Sequence, residues 1–281
     1  MGDRLFEDVE TARSYQDFRP NYIGLGLEKE VASFMGLRNQ RSQNVDSVGL
    51  DIGCGNGQLT KVLAPLFTKM IGIDRSKSQI DVANEVTTEK NIEYRVNLAE
   101  DLSFLQDGSV DLVSTAAAIH YFQPEPFLAE VDRVLKPGGC LLTVLMRADG
   151  FYLKTLTNND SVNKKCQDLM NEFVDVSLSI VRDETKKVLS AGMYTAPDYP
   201  DRYSFQVTSK RQYDNIDGFV GFLNSSETLQ EYNKQFPEEG DQVDRLKKRL
   251  LSILADTSST PESTPVVLSL LHNCYLYKKP M

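Results

Sequence analysis

The order of segments along the chain predicts an α/β fold built on a doubly wound, parallel sheet. Three observations carry that reading. Val48, Leu50 and Ile52 form a short apolar run suited to a buried parallel strand, Asp51 adds a carboxylate near its end, and Gly53, Gly55 and Gly57 follow at alternate positions. Leu59, Val62, Leu63, Leu66 and Phe67 then fall on one helical face, so the unit reads strand, glycine turn, helix. Four further strand-length segments, the last ending at Met146, are each separated by a helix-length one.

In chain order, residues 1–14 read as a leading helix or arm with Leu5, Phe6 and Val9 as anchors. Tyr15 to Tyr22 follows, where Pro20 stops the helix and holds Arg19 extended. Leu25, Leu27, Val31, Ala32 and Met35 mark an amphipathic helix, and residues 37–46 a polar loop. The second strand is Lys69 to Asp74, and Ser76 or Ser78 can cap the helix after it. Strands are expected at Asn91–Val96 and Val110–Thr115, then a helix from about Pro126 that Lys136-Pro-Gly-Gly139 ends, then a strand over Cys140–Met146.

After Gly150 the pattern changes. Residues 151–190 read as helix, 191–202 as a loop, and Tyr203–Thr208 as a strand. Helices are expected over 216–223, 228–236 and 243–254. Residues 256–264 form a polar loop, and a β-rich stretch from Pro265 to Tyr277 closes the chain.

The 281 residues suffice for a full α/β core with about a hundred to spare. With 31 basic and 40 acidic residues the net charge is -9, which disfavours non-specific nucleic-acid binding. Cys54, Cys140, Cys166 and Cys274 make no C-x-x-C pair, which argues against a zinc site or a disulfide framework. The first residues lack an apolar leader core, Phe6 occupies the Ser/Thr position of a myristoylation signal, and no run of apolar residues reaches membrane-spanning length. A cytoplasmic, reduced protein with no membrane partner is the expectation.

The glycine spacing separates two cofactor classes. A dinucleotide site wants a third glycine where this chain has Gln58, and no Lys-Ser/Thr follows to make a phosphate loop. Asp51-Ile-Gly-Cys-Gly-Asn-Gly-Gln58 instead resembles the first motif of the class I S-adenosylmethionine-dependent methyltransferases. The resemblance extends through Tyr15…Arg19-Pro20, Gly72-Ile-Asp74, Ala99-Glu-Asp-Leu102, Val110-Asp-Leu-Val…Ala118-Ile-His-Tyr-Phe122 and Glu130…Arg133-Val-Leu-Lys-Pro-Gly-Gly139. It is closest to the trans-aconitate methyltransferase-like small-molecule group, in which Tyr121 replaces a frequent tryptophan. Gly218-Phe-Val-Gly-Phe-Leu-Asn-Ser-Ser226 looks like that group's variable region.

The resemblance implies a mostly parallel, seven-stranded Rossmann-like sheet with an α-helical lid in the C-terminal half. Residues 1–147 would be the cofactor-binding core with its arm. Residues 148–281 would be the lid and substrate region plus the last strands. The cofactor would be S-adenosyl-L-methionine and the product S-adenosyl-L-homocysteine. Asp51, Gly53, Gly55 and Gln58 would lie under its methionine part, and Tyr15 and Arg19 would reach its carboxylate. Asp74, with Arg75 beside it, would hold the ribose. Asn97, Ala99 and Glu100 would flank adenine, and Thr115 and Ala116 would leave room beside the methyl group. His120 would line the mouth of the pocket or act as a base, and Tyr121, Arg147 and Tyr194 are substrate-pocket candidates.

Each residue also has a plainer role open to it. Asp74 could cap the next helix, Glu100 could belong to a polar turn, Arg19 could stack on Phe18, and His120 could merely pack on Tyr121. His272 reads as structural, and Glu238-Glu239 as a solvated turn. The functional expectation is methyl transfer to a small molecule, at a carboxylate or hydroxyl oxygen, by a monomer or homodimer. A small-amine N-methyltransferase and a non-catalytic cofactor-binding regulator are the alternatives.

Overall fold

The structure is a computed structural model that describes residues 9–37, 46–157, 159–180 and 198–281. Leu5, Phe6, most of the 37–46 loop, the end of the expected 151–190 helix and Tyr194 lie outside the described residues.

The strands are β1 (Val48–Ile52), β2 (Lys69–Asp74), β3 (Ile92–Val96), β4 (Val110–Ala116), β5 (Leu135–Thr155), β6 (Asp201–Tyr213) and β7 (Val266–Lys278). Among the described residues they form one sheet in the order β3-β2-β1-β4-β5-β7-β6. β3, β2, β1, β4 and β5 run parallel. β7 pairs antiparallel with both β5 and β6, through the longest registers in the sheet. The sheet is therefore mixed. Strand order reverses between β1 and β4, which leaves a crevice at their carboxyl ends where ligands bind in such sheets.

The helices are α1 (Val9–Phe18), α2 (Leu27–Met35), α3 (Gln58–Leu63), α4 (Lys77–Val86), α5 (Pro124–Val134), α6 (Asp160–Ser179), α7 (Ile216–Asn224), α8 (Glu227–Gln235) and α9 (Gln242–Ala255). Alternation along the strands gives the sheet two apolar faces. Leu50, Ile52, Ile73 and Val113 meet Phe127 and Val131 of α5 on one face. Met70, Leu112, Leu142 and Val144 meet Leu27, Val31, Leu59 and Leu63 of α2 and α3 on the other. A third core lies beyond the sheet's carboxyl end. There Leu153, Leu268 and Tyr213 are covered by Phe173, Phe219, Phe222, Leu246 and Leu250 of the later helices.

Several boundaries differ from the sequence expectation. The leading helix, described from Val9, continues past residue 14 to Phe18. α3 stops at Leu63 and gives way to a 3₁₀ turn at Ala64–Leu66, since Pro65 has no N–H to continue an α-helix. The helix before β5 ends at Val134, ahead of Lys136-Pro-Gly-Gly139, and these four residues bulge out of β5 between the Val110–Leu135 and Leu112–Cys140 pairs. β5 itself continues past Met146 to Thr155, where helix had been expected from residue 151. Leu153 and Thr155 are buried while Tyr152 and Lys154 are exposed, the period of a strand. Gly150 makes the bulge at this point possible, because a Cβ there would stand 2.9 Å from Cβ of Leu271.

Candidate cofactor site

The crevice holds a cleft enclosing about 330 Å³ of empty space, part of it open solvent. Tyr15, Asp51, Gly53, Gly55, Gln58 and Ala116, all singled out from the sequence, line it. Tyr22, Cys54, Asn56 and Leu59 line it as well, and these the sequence reading did not assign.

The glycine turn is held from two sides. Cys54 N–H donates to the Ile73 carbonyl at 2.9 Å, and Gly57 N–H to the Cys54 carbonyl at 2.9 Å. Gly55 N–H donates to Oδ2 of Asp74 at 2.9 Å, while Oδ1 of Asp74 accepts from Ser76 N–H at 2.8 Å. The Ser76 hydroxyl in turn caps α4 by accepting from Gln79 N–H. Both Asp74 oxygens thus already carry a backbone donor. Burial, the largest of its influences, pushes its pKa up, and the Ser76 and Gly55 bonds oppose that.

The three motif glycines are bare for different reasons. A Cβ on Gly53 would stand 2.5 Å from Cβ of Ala118, so this glycine serves internal packing. Gly57 faces the Tyr94 ring. A Cβ on Gly55 would meet only Oε1 of Gln79, at 3.7 Å, and otherwise the open cleft. Gly55 also has φ of 53°, a left-handed conformation that side chains resist. Ala118 is brought over the turn by Ala117, which has φ of 52° and donates its N–H to the Val144 carbonyl at 2.9 Å.

Asp51 is 1% exposed. Its Oδ2 accepts from the Thr60 hydroxyl at 2.6 Å and its Oδ1 from the Ser114 hydroxyl at 2.8 Å, tying β1 to α3 and β4. Burial raises its pKa to about 6; the two hydroxyls pull it down and nearby Asp74 pushes it up. Tyr22, whose pKa burial raises, sets its ring edge-on to His272 at 5.4 Å.

Other expected residues stand apart from the cleft. Arg19 is half-buried, lies 4.4 Å over the Tyr15 ring, and donates to Ser225 rather than stacking on Phe18. Glu100 accepts from Gln123 N–H at 2.8 Å ahead of α5, and Asn97 donates its side-chain amide to the Leu98 and Asp101 carbonyls. Ala99 is buried with the α5 face of the sheet, and Arg75 is exposed. Arg147 pairs with Asp149 at 2.7 Å, where β5 bulges. His120 packs on Tyr121 at 4.1 Å, its Nδ1 is buried without a partner, and burial lowers its pKa to about 4, so the ring is neutral at physiological pH. Tyr121 itself is 45% exposed.

Buried polar atoms left without partners concentrate around this site. They include Nδ2 of Asn56, Oε1 of Gln79 and Oγ1 of Thr115. Buried polar groups in folded proteins are nearly always bonded, so these are places for a ligand's polar groups. Asn56 could have been picked out from its place between two motif glycines; Gln79 had no such signal.

Residues 50–143 match the family of the methyltransferase domain. This segment is a methyltransferase domain. A Dictyostelium discoideum protein named as a methyltransferase is 34% identical over 149 residues, 53% of this chain and 50% of its own. A Saccharomyces cerevisiae protein named as an S-adenosylmethionine-dependent methyltransferase is 34% identical over 140 residues, 48% of this chain and 45% of its own. The chain spans about half the length of the curated relatives it matches. A protein from Anaeromyxobacter dehalogenans described as a type II methyltransferase shares the fold with a TM-score of 0.66 at 22% identity, over 94% of this chain and 100% of that one. The Saccharomyces cerevisiae relative is named for its dependence on S-adenosylmethionine. The open face of Gly55 and the unpartnered amides of Asn56 and Gln79 fit that cofactor. Among the described residues, no acidic, cysteine or histidine cluster could hold a metal, and no helix is long and apolar enough to cross a membrane.

Proposed function

We propose that the chain transfers a methyl group from S-adenosylmethionine to a small molecule, at a carboxylate or hydroxyl oxygen. Within class I we assign it to the trans-aconitate methyltransferase-like group. The observation that carries the reading is Gly55, the motif glycine whose bare face opens into the cleft beside Asp51 and Asp74. Bound there, the cofactor supplies an activated methyl group on a sulfonium leaving group.

The chain's own residues then bind, align and exclude water. Arg19 and Tyr15 are assigned the methionine carboxylate. In support, the half-buried guanidinium meets Ser225 and two aromatic rings but no acidic side chain among the described residues. Asp74 is assigned the ribose, using the lone pairs its backbone donors leave free. Arg75 is assigned a place beside Asp74 on the ribose side, Asn97, Ala99 and Glu100 the adenine side, and Thr115 and Ala116 the methyl side. The helices over residues 160–255 are the lid. Tyr121, Arg147 and Tyr194 remain candidates for acceptor contacts.

An acceptor oxygen attacks the methyl carbon as the carbon–sulfur bond breaks, so a carboxylate gives its methyl ester with no proton to remove. A hydroxyl acceptor needs a base. His120, with its pKa lowered to about 4, is a weak one, which favours the carboxylate. The setting is cytoplasmic, in keeping with four buried free cysteines, and the protein works as a monomer or homodimer without nucleic-acid or membrane partners.

Incubation with methyl-labelled cofactor and fractionated metabolites, followed by mass spectrometry, tests this. A labelled product that mild alkali cleaves supports the carboxylate reading. An alkali-stable labelled amine would move the assignment to nitrogen. Cofactor binding with no transfer to any fraction would make the protein a regulator.

A further inference from the structure

Gly72 stands beside Tyr94 in the β2–β3 register. Because Gly72 has no side chain, the Tyr94 ring lies across β2 and reaches the underside of the glycine turn. A Cβ on Gly72 would meet Cδ1 of Tyr94 at 2.6 Å, and one on Gly57 would meet its Cζ at 2.7 Å and its hydroxyl closer still. Cys54 Sγ, 3.1 Å from the same Gly72 position, closes the space from the turn's side. The phenol is itself held, accepting from the Thr87 hydroxyl at 3.2 Å just past the end of α4. Tyr94 does not line the cleft.

We infer that Tyr94 is a positioning residue for the cofactor: its ring fills the space left by Gly57 and Gly72 and sets the height at which Gly55 meets the ligand. This rests on the turn being the cofactor site. The turn's hydrogen bonds pull it toward the end of β2 through Ile73 and Asp74. The ring opposes that pull as a rigid body, and packed interiors do not leave such a space empty. Without it the turn settles toward β2, carrying Gly55 away from the ligand; a shift on the order of 1 Å is enough to cost binding heavily.

The test is calorimetric titration with S-adenosylhomocysteine of the wild type, Tyr94→Phe, Tyr94→Leu, Gly72→Ala and the Gly72→Ala/Tyr94→Leu double variant, with melting temperatures alongside. Tyr94→Leu is expected to weaken the dissociation constant about tenfold or more at full stoichiometry, while Tyr94→Phe stays within about twofold. Gly72→Ala, which presses on the ring, weakens binding too, and the double variant binds better than Gly72→Ala alone. A merely structural role would lower the melting temperature and the binding-competent fraction and leave the dissociation constant alone. Unchanged affinity in Tyr94→Leu, or losses that simply add in the double variant, overturns the inference. Should Tyr94→Leu fail to fold, Gly72→Ala alone decides, since its added Cβ displaces the ring: a weakened dissociation constant at full stoichiometry supports the inference and unchanged affinity overturns it. Failure of the wild type to bind at all would instead overturn the cofactor assignment.

Discussion

Arg19 and Ser225 are joined by two hydrogen bonds, from Nε to the hydroxyl at 3.1 Å and from Nη2 to the carbonyl oxygen at 3.0 Å. Around them the Tyr213 hydroxyl donates to the Phe18 carbonyl, Arg211 donates to the Arg19 carbonyl at 3.1 Å, and the Phe18 ring packs where Gly221 has no side chain. The arm before the sheet is thereby tied to β6 and to the helices after it. Amide exchange in residues 9–22 is expected to slow on adding S-adenosylhomocysteine, and Arg19→Ala to abolish both the slowing and much of the affinity. Equal exchange with and without ligand would remove Arg19 from the carboxylate role.

Asp74 accepts a backbone N–H on each oxygen. Asp74→Ala is expected to weaken cofactor binding by about 1.5–3 kcal/mol, combining lost ligand bonds with a loosened turn. Asp74→Asn should do little better, because its amide nitrogen must point at one of two N–H donors. Calorimetry that finds the Asn variant at wild-type affinity would show that neither role depends on the charge.

Gly55→Val is expected to leave the protein folded and to abolish cofactor binding. The added side chain has room in the empty cleft, but that room is the ligand's, and the left-handed φ resists branching. Circular dichroism with calorimetry checks both halves; retained binding would mean the turn does not touch the ligand.

Asp51 has a pKa of about 6, raised by burial above the usual 3.8. The fold therefore favours its protonated form. That contribution is complete below the unfolded value near 3.8 and is lost as the pH rises through about 6. Asp51→Asn, which can still bond both hydroxyls, should gain about 1–3 kcal/mol of stability at pH 8, little at pH 3.5, and lose cofactor affinity. Urea unfolding at the two pH values is the measurement, and an equal change at both would refute the ionisation argument.

His272 works in the opposite sense. Burial lowers its pKa from 6.5 to about 4, and its Nδ1 has no partner to receive a proton. Its contribution is complete above pH 6.5 and is lost as the pH falls through about 4. His272→Gln, which keeps a partner for the Ser209 hydroxyl, should flatten the fall in stability between these limits. A profile as steep as the wild type's would assign the acid sensitivity to other groups.

Much of the first half of the fold was legible because its signals are local. The Val48–Ile52 period, the glycines and the Ser76 cap each act within a few residues. β5 was not, because its continuation to Thr155 depends on pairing with Val266–Leu270 more than a hundred positions away. The same limit governs the site. Asp51, Gly55 and Gln58 sit in one motif and were readable together, whereas Tyr22, Gln79 and the Ser225 partner of Arg19 are brought in only by tertiary packing. The motif placed Gly53 and Gly55 under the cofactor and gave Gly57 no role of its own. Only the strand register shows that Tyr94 lies behind Gly57.

β5 runs unbroken from beside β4, in the core that carries the turn, to Leu153, in the core under the later helices. A protease seeking a hinge near position 147 finds paired strand on both sides of a tight bulge. The two cores share a spine, so neither can be released by a single cut there, and heat should melt them together in one calorimetric transition.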